Sequence, residues 1–304
     1  MAGGGDSTRA VLFALGANFA IAVAKGVAAF FTGSSAMLAE TVHSLADCGN
    51  QLLLLLGMRQ ARQPASPEYP LGYGKAIYFW SFLVAVMLFT VGGMFSLYEG
   101  IHKLQQPEPL KMWWWAAGVL VFGIVAEAIS MRACLQEVNK ARGARSLWRW
   151  FRESRQAELV VIFGEDLAAL LGLVFALVAV LLTVVTGNPI WDAVGTIFIG
   201  VLLIVVAVFV AIEVKAMLIG QSIDPERQAE LRRFIEDRPE VGRVISLITL
   251  QLGNDAMVSV QAQMREEQSA AGLIDQINVV ERALKAQFPE VKWSFFEPEV
   301  KADP

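Results

Sequence analysis

Two short polar clusters lie inside stretches that otherwise read as membrane helices, and their ionisable side chains are those of His43, Asp47, Glu165 and Asp166. An ionisable side chain at mid-membrane costs about 2.5–3.5 kcal/mol on insertion scales, so chains that keep one generally use it in an ion or proton pathway. Imidazole and carboxylate groups are also ligands for divalent metal ions. The pattern therefore predicts an intramembrane site for a divalent cation.

Helical spacing places part of this set on one face. Glu40, His43, Asp47 and Asn50 follow one another at steps of three and four residues, which puts them on the same side of a helix. Glu165 and Asp166 are neighbours, so their side chains point about 100° apart. Glu165 is therefore expected either to bind the metal or to relay protons.

Counting residues from the cytoplasmic ends predicts the depth of the two aspartates. Asp47 lies 12 residues from Arg59, and Asp166 lies 11 residues from Arg155. At about 1.5 Å per residue, the two carboxylates are roughly 18 and 16 Å deep and can meet near the bilayer midplane. His43 is one turn further out.

Two other ionisable residues in these stretches have simpler interpretations. Glu40 is close to the outer end of its helix and is expected to be part of a solvated rim. Lys25, in the first apolar run, is expected to extend to the membrane interface or to pair with a carboxylate.

The same groups bind protons, because histidine titrates near pH ~6.5 and paired carboxylates titrate at raised pH. Metal and protons therefore compete for one site, which predicts exchange of one for the other. Zn²⁺ accepts nitrogen and oxygen ligands in tetrahedral geometry, whereas Mn²⁺ and Fe²⁺ prefer more oxygens. The transported cation is expected to be Zn²⁺, with Mn²⁺, Fe²⁺ or Co²⁺ as the alternative.

Composition places these residues in a membrane protein. The chain has 304 residues, is 55% hydrophobic and has a mean hydropathy of +0.50. Six apolar runs are long enough to cross a hydrocarbon core of about 30 Å. They are residues 10–31, 36–57, 77–100, 112–134, 157–185 and 190–216. The fold class predicted for residues 1–219 is thus an α-helical membrane domain with six transmembrane helices.

The distribution of basic residues predicts the orientation. The loop after the second run and the loop of residues 140–155 are rich in Lys and Arg, whereas the opposite loops carry only Lys103 and Lys111. Basic loops remain in the cytoplasm, so both termini are predicted to be cytoplasmic, in a multi-pass protein of the plasma (inner) membrane.

Residues 220–304 read as a separate acidic domain in the cytoplasm. They carry 10 Lys and Arg against 15 Asp and Glu, and the absence of a basic face argues against a nucleic-acid partner. Asp224 is a helix cap followed by Pro225. Alternation from Ala256 to Met264 predicts a half-buried strand. The predicted order of elements is α-β-β-α-β, with two helices on one face of the sheet.

Several sequence motifs resemble the cation diffusion facilitator family, in particular its zinc transporter-like branch. The matching segments are residues 32–47, Asn50-Gln51, Gly72-Tyr73-Gly74-Lys75, residues 78–80, Gly253-Asn254-Asp255 and residues 288–291. The resemblance covers nearly the whole chain.

This resemblance implies a six-helix membrane domain, a ferredoxin-like or metallochaperone-like cytoplasmic αββαβ domain, and a homodimer. It implies export of divalent cations by proton antiport with alternating access, with no enzymatic activity and no bound cofactor. His43 and Asp47 match the family's binding pair on the second helix, and Asp166 matches an aspartate on the fifth.

The chain departs from the family pattern at three places. Ile162 stands where the fifth helix usually has a ligand histidine, so Glu165 or water is the candidate fourth ligand. Tyr69 stands where the preceding loop often has a histidine. The tail has neither His nor Cys, which predicts a dimerisation platform rather than a zinc sensor. An intramembrane enzyme and a non-transporting scaffold that lost its site at Ile162 are the alternatives from other classes.

Overall fold

The computed structural model describes residues 4–107, 109–110, 112–265 and 269–300, except the side chains of residues 4–14 and 17. Before residue 220 the described chain is almost entirely helical. Its helices are α1 (Gly4–Thr32), α2 (Ser35–Ala61), α3 (Ala76–Met87), α4 (Phe95–Gln105), α5 (Trp113–Arg142), α6 (Leu147–Glu153), α7 (Ala157–Thr186) and α8 (Ile190–Ile219). A π-helical turn, Leu88–Met94, joins α3 to α4.

Four of the described helical stretches are long and apolar enough to cross a membrane. They are Ala76–Gln105, Trp113–Arg142, Ala157–Thr186 and Ile190–Ile219. Within α1 the described side chains form a shorter apolar stretch, Asn18–Thr32. Helix α2 has the necessary length, but its polar stripe lowers its hydropathy. The number of membrane spans predicted above, six, stays a prediction for α1 and α2.

Small residues allow these helices to pack closely, which is the usual way helices associate in lipid. Buried alanines and glycines recur along α7 and α8, for example Ala168, Gly172 and Ala176. Larger buried side chains such as Leu120 and Leu203 fill the space between them. The exposed faces of the same helices carry many Leu, Val and Phe side chains, as expected where a helix contacts lipid.

The π-helical turn lies beside the polar stripe of α2. A Cβ atom placed on Gly92 would be 3.7 Å from Nδ1 of His43. Turns of this kind insert one extra residue into a helix and occur frequently at functional sites. The turn therefore brings the backbone of the α3–α4 helix close to the predicted metal ligand.

The segment predicted as a basic loop contains a short helix, α6. Ser146 caps it by accepting a hydrogen bond from the backbone N–H of Arg149 at 3.2 Å. Trp150 is almost fully buried and packs edge-on against Phe163 of α7. Because Arg152 pairs with Glu213 of α8 at 2.7 Å, one of the segment's basic side chains binds the protein itself.

The tail folds into a mixed three-stranded sheet with two helices. Its elements are α9 (Pro225–Glu236), β1 (Val241–Leu252), β2 (Asp255–Met264), α10 (Ala270–Gln287) and β3 (Val291–Pro298). Strand β2 is central, antiparallel to β1 and parallel to β3. Its alternate residues face a core shared with the helices: Ala256, Val258, Val260 and Ala262, packed with Leu231, Ile235, Val280 and Leu284.

The opposite face of the sheet carries exposed apolar side chains. Ile248 of β1 and Phe295 of β3 both pair with Ser259 of β2, so the three form one row across the sheet. Ile248 is 61% exposed and Phe295 is 55% exposed.

Hydrogen bonds and an ion pair join the tail to the ends of the helices. The backbone N–H of Gly253 donates a hydrogen bond to the hydroxyl of Tyr78 at 2.9 Å. Arg155 Nε donates to the carbonyl oxygen of Ser222 at 2.7 Å, and Arg145 forms an ion pair with Asp224. Burial lowers the pKa of Arg155, and nearby Asp224 opposes that shift.

Candidate metal site

The candidate site begins with the polar stripe on α2. Ser34 caps this helix by accepting a hydrogen bond from the backbone N–H of Met37 at 3.1 Å. Glu40, His43 and Asn50 are fully buried, and the side chain of Asp47 is 14% exposed. The stripe therefore faces the inside of the helical bundle. The interpretation of Glu40 as a solvated rim residue is wrong, because its side chain is fully buried.

His43 and Asp47 lie side by side, and their side chains have atoms that could bind a ligand. Nε2 of His43 is 3.6 Å from Oδ2 of Asp47, which is too long for a hydrogen bond. Among the described residues, neither imidazole nitrogen has a hydrogen-bond partner, and neither does Oδ1 of Asp47. Buried polar atoms without partners are costly, so such a pair is suited to a ligand that the protein binds there.

The two adjacent acids of α7 point towards different helices. Oε1 of Glu165 accepts a hydrogen bond from Nδ2 of Asn50 on α2 at 2.5 Å. Oδ2 of Asp166 accepts one from the hydroxyl of Ser130 on α5 at 3.2 Å. Glu165 is therefore the acid of this pair that is held against the α2 stripe.

The predicted ligands do not all converge in the arrangement seen here. Within the described ranges, no three His, Cys, Asp or Glu side chains lie close enough together to hold one metal ion. Asp47, Glu127 and Asp166 nevertheless all act electrostatically on Glu165. A cluster of carboxylates in a medium of low dielectric constant attracts cations or protons.

Lys25 and Ser44 form a buried cluster with Glu40 of the stripe, and none of the three was among the predicted site residues. Nζ of Lys25 on α1 is 3.2 Å from Oε2 of Glu40 and donates a hydrogen bond to Oγ of Ser44 at 2.7 Å. Lys25 and Glu40 are both fully buried. Of the two interpretations of Lys25 from the sequence, the structure shows the pairing with a carboxylate and not the extension to the membrane interface.

At the end of the bundle where α2 begins, Asp192 of α8 binds the start of α2. Its Oδ1 accepts a hydrogen bond from the hydroxyl of Ser34 at 2.6 Å, and its Oδ2 accepts one from the backbone N–H of Ser35 at 2.8 Å. Lys103 donates to the carbonyl oxygen of Gly33 at 3.1 Å. These contacts hold together the start of α2, the end of α4 and the start of α8.

A cavity of about 590 Å³ lies between the helices and the tail. Its walls include Arg62, Glu158, Asp255 and Trp293. Glu158 is two helical turns from Glu165 along α7.

A family model described as the cation efflux transmembrane domain matches residues 11–219. A mouse protein named proton-coupled zinc antiporter SLC30A9, mitochondrial, is 34% identical over 231 residues, which cover 75% of this chain and 41% of the relative. Metal tolerance protein C4 of Arabidopsis thaliana is 31% identical over 233 residues, covering 76% of this chain and 51% of the relative. The chain thus spans only about half the length of these relatives, or less.

A bacterial relative is similar over a larger share of its length. The cation-efflux pump FieF of Klebsiella pneumoniae is 26% identical over 285 residues, which cover 93% of this chain and 89% of the relative.

Proposed function

Because the chain belongs to the cation diffusion facilitator family, we propose that it exports Zn²⁺ from the cytoplasm in exchange for protons, by alternating access. The names of the SLC30A9 relatives support both the choice of zinc and the coupling to protons. In this proposal the metal is cargo, the protein has no bound cofactor, and the chain is not an enzyme.

The observation that carries the proposal is the pair formed by His43 and Asp47. Its nitrogens and one carboxylate oxygen are buried or nearly so and have no hydrogen-bond partner among the described residues. Nitrogen and oxygen ligands of this kind suit Zn²⁺. The same atoms bind protons once the metal leaves, which gives metal and protons one common site.

Glu165 is proposed as the third ligand, since its carboxylate already lies against α2. Asn50 holds Oε1 of Glu165 by a charge-assisted hydrogen bond and leaves the second oxygen for the metal. Asp166, which faces Ser130 on α5, is proposed to join the site when α7 turns during transport. Ile162 offers no ligand atom.

The proposed architecture has six membrane spans, with α1 and α2 added to the four apolar stretches. Residues 1–219 form the membrane domain, and residues 220–304 form the cytoplasmic αββαβ dimerisation domain. Both termini are cytoplasmic, and the host membrane is the plasma (inner) membrane. The exposed row of Ile248 and Phe295 supports association with a second copy through the sheet.

A second candidate is an exporter of Mn²⁺, Fe²⁺ or Co²⁺. It is favoured by the oxygen-rich surroundings of His43, the single described histidine inside the bundle, with Asp47, Glu165 and Asp166 as the acids nearby. Manganese and iron accept more oxygen ligands than zinc does.

Metal uptake into proteoliposomes tests both candidates. Zn²⁺, Mn²⁺, Fe²⁺ and Co²⁺ are each supplied with and without a pH gradient, for the wild type, Asp47→Ala and Glu165→Gln. Asp275→Ala, on an exposed position of α10, is the matched control. We expect Zn²⁺ uptake that a pH gradient accelerates, abolished by Asp47→Ala and unchanged in the control. A folded protein that moves none of these ions would instead support the scaffold alternative.

A further inference from the structure

The Lys25 cluster (Lys25, Glu40 and Ser44) is a fully buried charged group that the proposed metal site does not use. An ion pair inside a membrane domain is expensive, because attraction between the charges rarely recovers the full cost of removing both from water. Replacing such a pair with apolar residues is often neutral or stabilising. Stability alone is therefore a poor explanation for this cluster.

Glu40 keeps one carboxylate oxygen available. Oε2 faces the ammonium group of Lys25 at 3.2 Å, whereas Oε1 is buried and has no hydrogen-bond partner among the described residues. Oε1 points towards α7, where a Cβ atom on Gly172 would come within 2.5 Å of it. A buried carboxylate oxygen without a hydrogen-bond partner is costly, so this oxygen is available to bind a cation.

Glu40 itself lies on the same face of α2 as the metal site. Glu40 precedes His43 by three residues, and both nitrogens of His43 are also unpartnered among the described residues. Ser44, which accepts a hydrogen bond from Lys25, directly follows His43 in the chain. The cluster and the metal site are therefore neighbours on α2.

We propose that Glu40 is a further ligand of the transported cation and that Lys25 is a tethered cation competing for the same carboxylate. While the site is empty, the ammonium group occupies Glu40 and is held in place by Ser44. An arriving divalent ion attracts Glu40 and repels Lys25, so the metal takes over the carboxylate. When the metal leaves, Lys25 returns to Glu40 and prevents immediate rebinding.

This inference rests on the proposed function, and it predicts opposite effects for its two residues. Glu40→Gln removes a ligand charge, so the Kd for the metal rises by about tenfold, as is typical when a group supporting a metal site is lost. Lys25→Met removes the competitor, so the Kd falls. Release then becomes slower, and the maximal rate of transport falls although the affinity is higher.

The test is calorimetric titration of the full chain, purified in detergent, with ZnCl₂ and with MnCl₂, alongside uptake rates in proteoliposomes. Lys25→Arg keeps the positive charge and is expected to bind metal like the wild type. The matched control is an exposed lysine–glutamate pair, Lys140 and Glu137, joined at 2.6 Å. Lys140→Met and Glu137→Gln should leave the Kd unchanged.

The double variant Lys25→Met/Glu40→Gln keeps the test decisive where a single variant fails to fold, because it leaves no buried charge unpaired. We expect it to fold and to bind metal more weakly than the wild type. Wild-type affinity in the double variant would overturn the inference and give the cluster a purely structural role. If the wild type itself binds and transports no divalent ion, the proposed function fails first.

Discussion

The hydroxyl of Tyr78 in α3 accepts a hydrogen bond from the backbone N–H of Gly253, which links a membrane helix to the β1–β2 turn of the tail. Tyr78 is fully buried, so Tyr78→Phe leaves this N–H without its partner at a local cost of about 1–3 kcal/mol. We expect faster hydrogen exchange at the turn, measured by mass spectrometry. Tyr98→Phe, at a position 69% exposed, is the control. Unchanged exchange would contradict the link.

Gly74 allows the same turn to approach the helices. A Cβ atom on Gly74 would overlap the carbonyl oxygen of Leu252, so an alanine cannot be accommodated without moving the turn. Gly74→Ala is expected to separate the tail from the helices, seen as faster limited proteolysis between residues 219 and 225. Gly118→Ala is the matched control, because no heavy atom lies within 4 Å of the added carbon. Equal cleavage of both variants would refute this expectation.

Asp192 is expected to stabilise the end of the bundle where α2 begins. Asp192→Asn retains one acceptor oxygen, so either the Ser34 hydroxyl or the Ser35 N–H loses its bond. The loss of one buried bond to a charged group costs about 1–3 kcal/mol. A lower unfolding temperature in detergent is the expected result. Asp237→Asn, at an exposed position, should unfold like the wild type.

The ionisation of Glu290 makes the stability of the tail depend on pH. Burial raises its pKa, but hydrogen bonds from Arg227 and the backbone outweigh that effect and hold the pKa below its ordinary value of 4.5. A lowered pKa stabilises the fold above pH 4.5, and this contribution is lost as pH falls through the lowered value. The pair is partly exposed, so the contribution is at most about 1 kcal/mol.

The comparison of wild type with Glu290→Gln measures this contribution. Hydrogen exchange in the tail of the full chain should show the variant to be less stable near pH ~7 and equal to the wild type near pH ~3. A difference that persists in acid would mean that the Arg227–Glu290 ion pair is not its source.

The exposed sheet row is expected to be a contact between two copies of the chain. Ile248→Glu places a charge within the apolar row. This change should convert a dimer to a monomer, because burying an unpaired charge between the two copies is costly. Multi-angle light scattering in detergent measures the change. Lys285→Glu, at an exposed position of α10 on the other side of the sheet, is the control. A variant that remains dimeric would exclude this face.

Local spacing was sufficient to place His43 beside Asp47, since residues four apart on one helix are neighbours whatever surrounds them. The neighbours of Glu165 and Asp166 depend on how α7 is rotated against α2 and α5. That rotation comes from tertiary packing, so the sequence left the role of Glu165 open.

The interpretation of Glu40 failed for a related reason. Depth along α2 put it near the outer end, but depth does not reveal that Lys25 of the preceding helix reaches the same level. In the tail, alternation along β2 predicted a strand with one buried face because that pattern is local. The docking of the Gly253 turn on Tyr78 joins residues 175 positions apart and has no local signature.

The π-helical turn at Leu88–Met94 has a consequence for how the α3–α4 helix can move. The turn holds one extra residue, which corresponds to about 100° of rotation about the helix axis. If the turn moved along the chain, one half of the helix would rotate relative to the other while the helix stayed continuous. The turn lies where Gly92 is next to the His43 ring, so such a rotation would begin beside His43. A movement of His43 would then reach the far half of this helix as a rotation about its axis rather than as a tilt of the whole helix.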